Sequence, residues 1–133
     1  MNNFLLVNLA LEARKMSYSP YSGFSVGAAL LCADGTVYTG CNIENSAFSP
    51  TNCAERTAFF KAVSEGKRNF VKIAVAGGKS SDGIPENYCP PCGVCRQVMA
   101  EFCDADFEII TEDGKGGYNV YPFSALLTKP FRF

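Results

Sequence analysis

The sequence predicts one α/β domain over residues 1–133, a mixed β-sheet covered by helices. Three observations predict it. Segments with helical and strand patterning follow one another in the order α-β-β-α-β-α-β-β. Turn signals at Asp34-Gly35, Gly66, Asp113-Gly114 and Gly116-Gly117 separate them at short intervals. The 133 residues are 47% hydrophobic, enough to fill one core of ordinary size.

The elements follow in order. Residues 3–16 read as an amphipathic helix, with Asn8, Glu12 and Lys15 at helical spacing on its polar face. Residues 17–23 form a turn-rich loop around Ser19-Pro20-Tyr21. Residues 24–32 read as a buried strand, Asp34-Gly35 as a hairpin turn, and 36–42 as the return strand. Residues 43–52 are a polar loop ending in Thr51-Asn52, expected to cap the next helix. That helix spans 53–65 and stops at Gly66. A short apolar strand at 71–76 leads into a loop over 77–90, rich in Gly, Ser, Asp and Pro. Residues 93–102 read as a third helix, 107–111 and 118–121 as strands, and 122–127 as a short helical turn. No internal repeat or linker interrupts the chain.

Composition narrows the chemistry. The net charge is −1, from 12 basic and 13 acidic residues, and the basic residues are dispersed. No cationic face for a nucleic-acid backbone is predicted. There is no histidine, which removes Ser-His and Cys-His nucleophilic schemes and every histidine-containing metal site. Seven cysteines, an odd number, occupy 32, 41, 53, 89, 92, 95 and 103, and no secretory segment is expected before them. No apolar run approaches transmembrane length. The expectation is a reduced, cytoplasmic protein whose thiols are free for metal.

Four residues carry the chemistry: Cys53 and Glu55 in Cys53-Ala54-Glu55, then Cys92 and Cys95 in Pro91-Cys92-Gly93-Val94-Cys95. Three thiolates can hold one Zn²⁺ and leave a fourth position for water. Cys92 and Cys95, three apart at a helix start, face one direction. Cys53 starts a helix too, and helix N-termini favour thiolate. Glu55 is placed to move protons. A C-x-E followed downstream by P-C-x-x-C is the general signature of zinc deaminases acting on nucleobases. Three thiolates and Zn²⁺ sum to −1, so Arg56 is expected to donate hydrogen bonds to ligand sulfurs and withdraw charge. Competing readings are a closed four-sulfur site that adds Cys89, and buried free cysteines, which suit Cys32, Cys41 and Cys103.

The chain resembles the small, homotetrameric class of cytidine deaminases. The resemblance rests on Ser19-Pro20-Tyr21-Ser22, Phe24-x-Val26-Gly27-Ala28-Ala29, Gly40-Cys41-Asn42-Ile43-Glu44-Asn45, Cys53-Ala54-Glu55-Arg56-Thr57-Ala58 and Pro91-Cys92-Gly93-x-Cys95-Arg96-Gln97. These run in family order through most of residues 1–103. The resemblance implies a three-layer α-β-α fold with a central mixed five-stranded sheet. It implies hydrolysis of the C4 amine of cytidine or deoxycytidine in pyrimidine salvage, giving uridine or deoxyuridine and ammonia. Zinc on Cys53, Cys92 and Cys95, one per subunit, would activate water, and Glu55 would shuttle protons to N3 and the leaving amine. The Ala54 N–H is expected on the pyrimidine O2 and the Pro90 carbonyl on the 4-amino group. Asn42 and Glu44 are expected on the 3′-hydroxyl and Phe24 against the substrate. Phe48 stands where family members often carry Tyr. Phe131 resembles a C-terminal aromatic that stacks on the base in a neighbouring subunit's site. The chain departs from the family in a longer loop over 77–89 and in Cys89-Pro90, which replaces the usual small residue before Pro-Cys.

Three other functions compete with this one. Deamination of a modified cytosine nucleoside, such as an aminoacyl-nucleoside antibiotic, conflicts with a site for a free 3′-hydroxyl. Editing of a polynucleotide conflicts with that contact and with the balanced charge. A non-catalytic zinc module leaves Glu55 without a role.

Overall fold

The computed structural model describes residues 1–80 and 89–133. Its elements are α1 (Asn3–Arg14), β1 (Phe24–Cys32), β2 (Val37–Cys41), α2 (Ala54–Ser64), β3 (Phe70–Lys79), α3 (Gly93–Phe102), β4 (Glu108–Glu112), β5 (Tyr118–Pro122) and α4 (Phe123–Leu126). The five strands form one sheet in the order β2-β1-β3-β4-β5. β1 pairs antiparallel with β2 and β3, β3 pairs parallel with β4, and β4 pairs antiparallel with β5. The parallel step follows from the crossover through α3, since only a long connection can return a strand in the same direction.

Strand alternation sends side chains to two cores. On one face α1 buries Leu6, Val7 and Ala10 against Ala29, Leu31, Ala74, Ala76 and Ile110. On the other, α2 and α3 bury Ala58, Phe59, Ala62, Met99 and Ala100 against Ala28, Leu30, Ile73, Val75 and Ile109. Phe59 anchors this second core, 5.1 Å from Phe70 and 6.1 Å from Phe107 between ring centroids. The result is the expected three-layer α-β-α arrangement.

Glycines set the distance between layers. A Cβ on Gly27 would collide with the Ala10 carbonyl and the Arg14 backbone, so α1 lies directly on β1. A Cβ on Gly40 would stand 2.5 Å from the Ala54 carbonyl oxygen, so the start of α2 lies directly on β2. At the far end of α1, buried Arg14 donates from Nε to the Ser25 carbonyl at 2.9 Å and from Nη2 to the Lys79 carbonyl at 2.6 Å. It thereby ties the start of β1 to the end of β3.

Three expectations need correction. The first helix ends at Arg14, not residue 16. Thr51 and Asn52 do not cap α2. Cys53 is the N-cap, and Asn52 Nδ2 donates instead to Thr57 Oγ1 at 3.3 Å. β3 continues through Gly77 and Gly78 to Lys79, because both glycines pair in register with Val26 and Ser25 of β1. Residues 81–88 of the expected loop lie outside the described residues.

Candidate active site

The helices α2 and α3 begin at the same end of the sheet, where β2 and β3 finish and β1 starts. Cys53 is the N-cap of α2 and Cys92 the N-cap of α3, both with extended backbone. The Cys92 sulfur accepts the Cys95 N–H at 3.5 Å, so it closes the first turn of α3 while facing the other sulfurs. Cys92 Sγ lies 3.7 Å from Cys53 Sγ and 3.4 Å from Cys95 Sγ, and the three sulfurs all lie within 4.8 Å of one another.

This geometry fits zinc. A tetrahedral ion with Zn–S bonds of about 2.3 Å separates its sulfur ligands by about 3.8 Å. Among the described residues no fourth donor joins the group. The closed four-sulfur alternative therefore loses its fourth ligand: Cys89 packs over Gly77, where an added Cβ would meet its sulfur at 2.6 Å. Burial pushes the Cys89 thiol up to about 12. Cys32 and Cys103 are buried, as the free-cysteine reading has them, whereas Cys41 is only partly so.

Charge is organised around Cys53. A hydrogen bond from the Cys95 thiol, opposed by burial and reinforced by Arg56 and Cys92, holds the Cys53 thiol down to about 5. The same pairing with Cys53 raises Cys95. Arg56 donates from Nη2 to the Cys53 sulfur at 3.1 Å, the contact expected of it. Partial burial opposes the Arg56 charge, yet the acceptor sulfurs of Cys53 and Cys95 raise its pKa further. Glu55, in the first turn of α2, is only 4% exposed. Burial pushes its carboxyl up to about 7, where it can both take and give a proton near neutrality.

The expected substrate residues fall into two groups. The first comprises Ala54 and Pro90, which stand next to or near the ligand cysteines in the chain, Phe24 at the start of β1, and Asn42 and Glu44 just after β2. Ala54 is fully buried, and as the first residue of α2 its N–H has no carbonyl partner within the helix. The neighbouring Pro91 carbonyl is taken by Arg96 Nε at 2.8 Å. Phe24 opens β1 with its ring beside Gly77 and Cys89. Phe48 and Phe131 form the second group, 93% and 65% exposed. Phe48 borders an open cleft of about 340 Å³ with Tyr21, Ser22, Glu44 and Thr51. Phe131 stacks edge-on with Phe133 at 5.4 Å, on a tail held to α3 by Gln97 and Arg132.

Asn42 and Glu44 carry more internal hydrogen bonds than a polar loop edge needs. Glu44 Oε1 accepts the N–H groups of Tyr21 and Ser22 at 2.9 and 3.1 Å, and Oε2 accepts the Ser22 hydroxyl. These donors lower the Glu44 pKa, the Ser22 hydroxyl foremost. Sequence reasoning missed the hydroxyls of Ser17, Ser19, Ser25 and Ser80, which meet beside Asn42. No motif announces them, because they come together only through the fold.

A centre with three sulfur donors, no fourth protein ligand among the described residues and a buried carboxyl is that of a mononuclear zinc hydrolase. Residues 2–111 match the family model for the cytidine and deoxycytidylate deaminase zinc-binding region, and the chain belongs to that family. It is 50% identical over 126 residues to the cytidine deaminase of Sporosarcina psychrophila, covering 95% of this chain and 88% of that protein. It is 31% identical over 112 residues to the blasticidin-S deaminase of Bacillus cereus, covering 83% and 79%. Among solved structures, the cytidine deaminase of Burkholderia pseudomallei superposes with a TM-score of 0.86 at 40% identity, covering 98% of this chain and all of that one.

Proposed function

We propose that the chain is a zinc-dependent cytidine deaminase, converting cytidine and deoxycytidine with water to uridine or deoxyuridine and ammonia. The observation that carries this is the cluster of three sulfurs at two helix starts beside buried Glu55. Cys53, Cys92 and Cys95 hold the ion. When bound, zinc supplies the positive charge that makes water acidic enough to be a nucleophile near neutral pH.

The remaining work belongs to side chains and backbone. Glu55 takes a proton from the attacking water, passes it to N3 and later protonates the departing amine at C4. Its burial keeps both protonation states within reach near neutral pH. The Ala54 N–H donates to the pyrimidine O2, and the Pro90 carbonyl accepts from the 4-amino group. Phe24 flanks the base. Arg56 withdraws charge from Cys53. Asn42 and Glu44 read the 3′-hydroxyl: the Asn42 amide donates and the Glu44 carboxylate accepts, which suits a free hydroxyl and not an ester.

The free sugar argues against a polynucleotide substrate, as does the net charge of −1. The modified-nucleoside reading has weaker support, 31% identity against 50%. The exposed rings of Phe48 and Phe131 favour a homotetramer in which neighbours complete each site, since large aromatics at a surface gain by burial in an interface. Among the described residues no helix is long and apolar enough to cross a membrane. A cytoplasmic role in pyrimidine salvage fits a nucleoside substrate and the many free thiols.

The test is ultraviolet absorbance of zinc-loaded protein with cytidine, with and without a chelator. Loss of cytidine absorbance with equimolar ammonia, abolished by chelation, supports the reading. No turnover of either nucleoside by the zinc-loaded protein refutes it.

A further inference from the structure

The hydrogen bonds of Asn42 lead to a residue outside the metal site. Asn42 Oδ1 accepts from the Val26 backbone N–H at 2.9 Å, and Nδ2 donates to the Phe24 carbonyl at 2.8 Å. These two bonds to β1 fix which end of the amide is oxygen, because a backbone N–H only donates and a carbonyl only accepts. The second Oδ1 lone pair receives the Ser17 hydroxyl at 2.5 Å. An amide offers two acceptor and two donor places. Among the described residues both acceptor places and one donor place are filled. What Asn42 has left is one Nδ2 hydrogen.

Ser17 Oγ also lies 3.2 Å from Ser19 Oγ, but its single proton goes to Asn42. The hydroxyls of Ser19, Ser25 and Ser80 form a triangle with edges of 3.1, 2.9 and 2.6 Å. The three serines come from the loop before β1, from β1 and from the residue after β3. Ser80 also donates its N–H to the Gly23 carbonyl. A ring of hydroxyls can let each oxygen donate and accept at once, so the triangle supports all three segments cooperatively.

We propose that Ser17 is a positioning and specificity residue for the sugar site. By filling the last lone pair of Asn42 Oδ1 it makes the amide a donor only. Glu44, two residues on, keeps one lone pair of Oε2 among the described residues after its bonds to Tyr21 and Ser22. One donor beside one acceptor selects a free hydroxyl, which needs both. The inference rests on the reading of Asn42 and Glu44 as sugar contacts. Without Ser17 the amide oxygen is half-buried and lacks one donor. The amide then tilts or takes a water, and its N–H is no longer held for the substrate.

Steady-state kinetics of zinc-loaded Ser17→Ala with cytidine and with 3′-deoxycytidine test this. The KM for cytidine should rise about five- to tenfold, the scale of one hydrogen bond. The kcat should stay within about twofold, and the values for 3′-deoxycytidine should hardly move. Preference for the hydroxylated sugar then falls by the same factor, and Ser17→Thr restores it. An equal loss on both substrates, no change, or failure of Thr to rescue would overturn the proposal. Asn42→Ala run in parallel separates the two levels. If it loses the preference while Ser17→Ala keeps it, only the Ser17 proposal falls. If Asn42→Ala weakens both substrates alike, the sugar reading of Asn42 falls with it.

Discussion

Arg56 donates from Nη2 to the sulfur of Cys53 at 3.1 Å, so a fixed cation sits on a thiol held well below its ordinary pKa. Three thiolates around a divalent ion leave one excess negative charge, which would make a bound water less acidic. The guanidinium offsets that charge without occupying a coordination position.

The first prediction follows. Arg56→Gln keeps a polar side chain but removes the charge and the donor fork. Zinc affinity or kcat should fall about 10- to 100-fold, the usual cost of removing a hydrogen bond to a metal ligand. Zinc competition against a chromophoric chelator, together with kcat, measures it. Unchanged values for both would remove Arg56 from the charge balance.

Glu55→Gln keeps the shape of a nearly buried side chain and removes its proton-carrying capacity. Zinc should remain at one per chain while kcat drops at least about 10²-fold, the low end of general acid–base contributions. Metal analysis alongside an ammonia assay reads both. Activity indifferent to Glu55 would sink the mechanism and revive a non-catalytic zinc module.

Cys89 distinguishes an open from a closed centre. Its sulfur packs over Gly77, and burial holds the thiol protonated up to about 12. Cys89→Ser should therefore keep one zinc per chain, with affinity within about threefold, because second-sphere losses begin near tenfold. Loss of the zinc would restore the four-sulfur site.

The metal ligands were legible in the sequence because ligation demands a residue type at a fixed spacing. Cys92 and Cys95 could be placed on one face of α3 from numbering alone, and that helix begins and ends at the expected residues. The reach of β3 was not legible. Gly77 and Gly78 signal a loop in isolation, yet they pair with β1, and Gly77 leaves the space that Cys89 fills. The cap of α2 was obscured for a related reason: Thr51 and Asn52 are better intrinsic caps than Cys53, but the cysteine must stand at the helix start to reach Cys92. Ser17 and the serine triangle depend on segments up to 61 positions apart, and no local pattern encodes such a meeting.

Gly27 tests the layer spacing. An added methyl would meet the Ala10 carbonyl and the backbone of Arg14, which are rigid helix atoms, so α1 must move off β1. Gly27→Ala should cost about 1–3 kcal/mol, the range for overpacking a tight core. Chemical denaturation gives the value. Wild-type stability would mean that α1 can lift without loss.

Cys103 gives a pH dependence remote from the metal. It is buried, and burial, with a smaller contribution from Asp104 and opposition from Arg132, pushes its thiol from about 9 up to about 12. The folded state thus binds this proton more tightly than the unfolded state. Below about pH 9 both states are protonated and the contribution is fully present. Between about 9 and 12 the unfolded thiol ionises while the folded one does not, so stability falls as pH rises. The slope approaches about 1.4 kcal/mol per pH unit for one proton. Other groups titrate in this window, so the comparison is with Cys103→Ala. That variant loses stability at every pH from the vacated volume, but its stability should decline less steeply above pH 9. Urea denaturation of both proteins at several pH values from 8 to 11 measures the two slopes. Parallel curves would mean that the Cys103 thiol ionises as easily in the folded protein as in the unfolded chain.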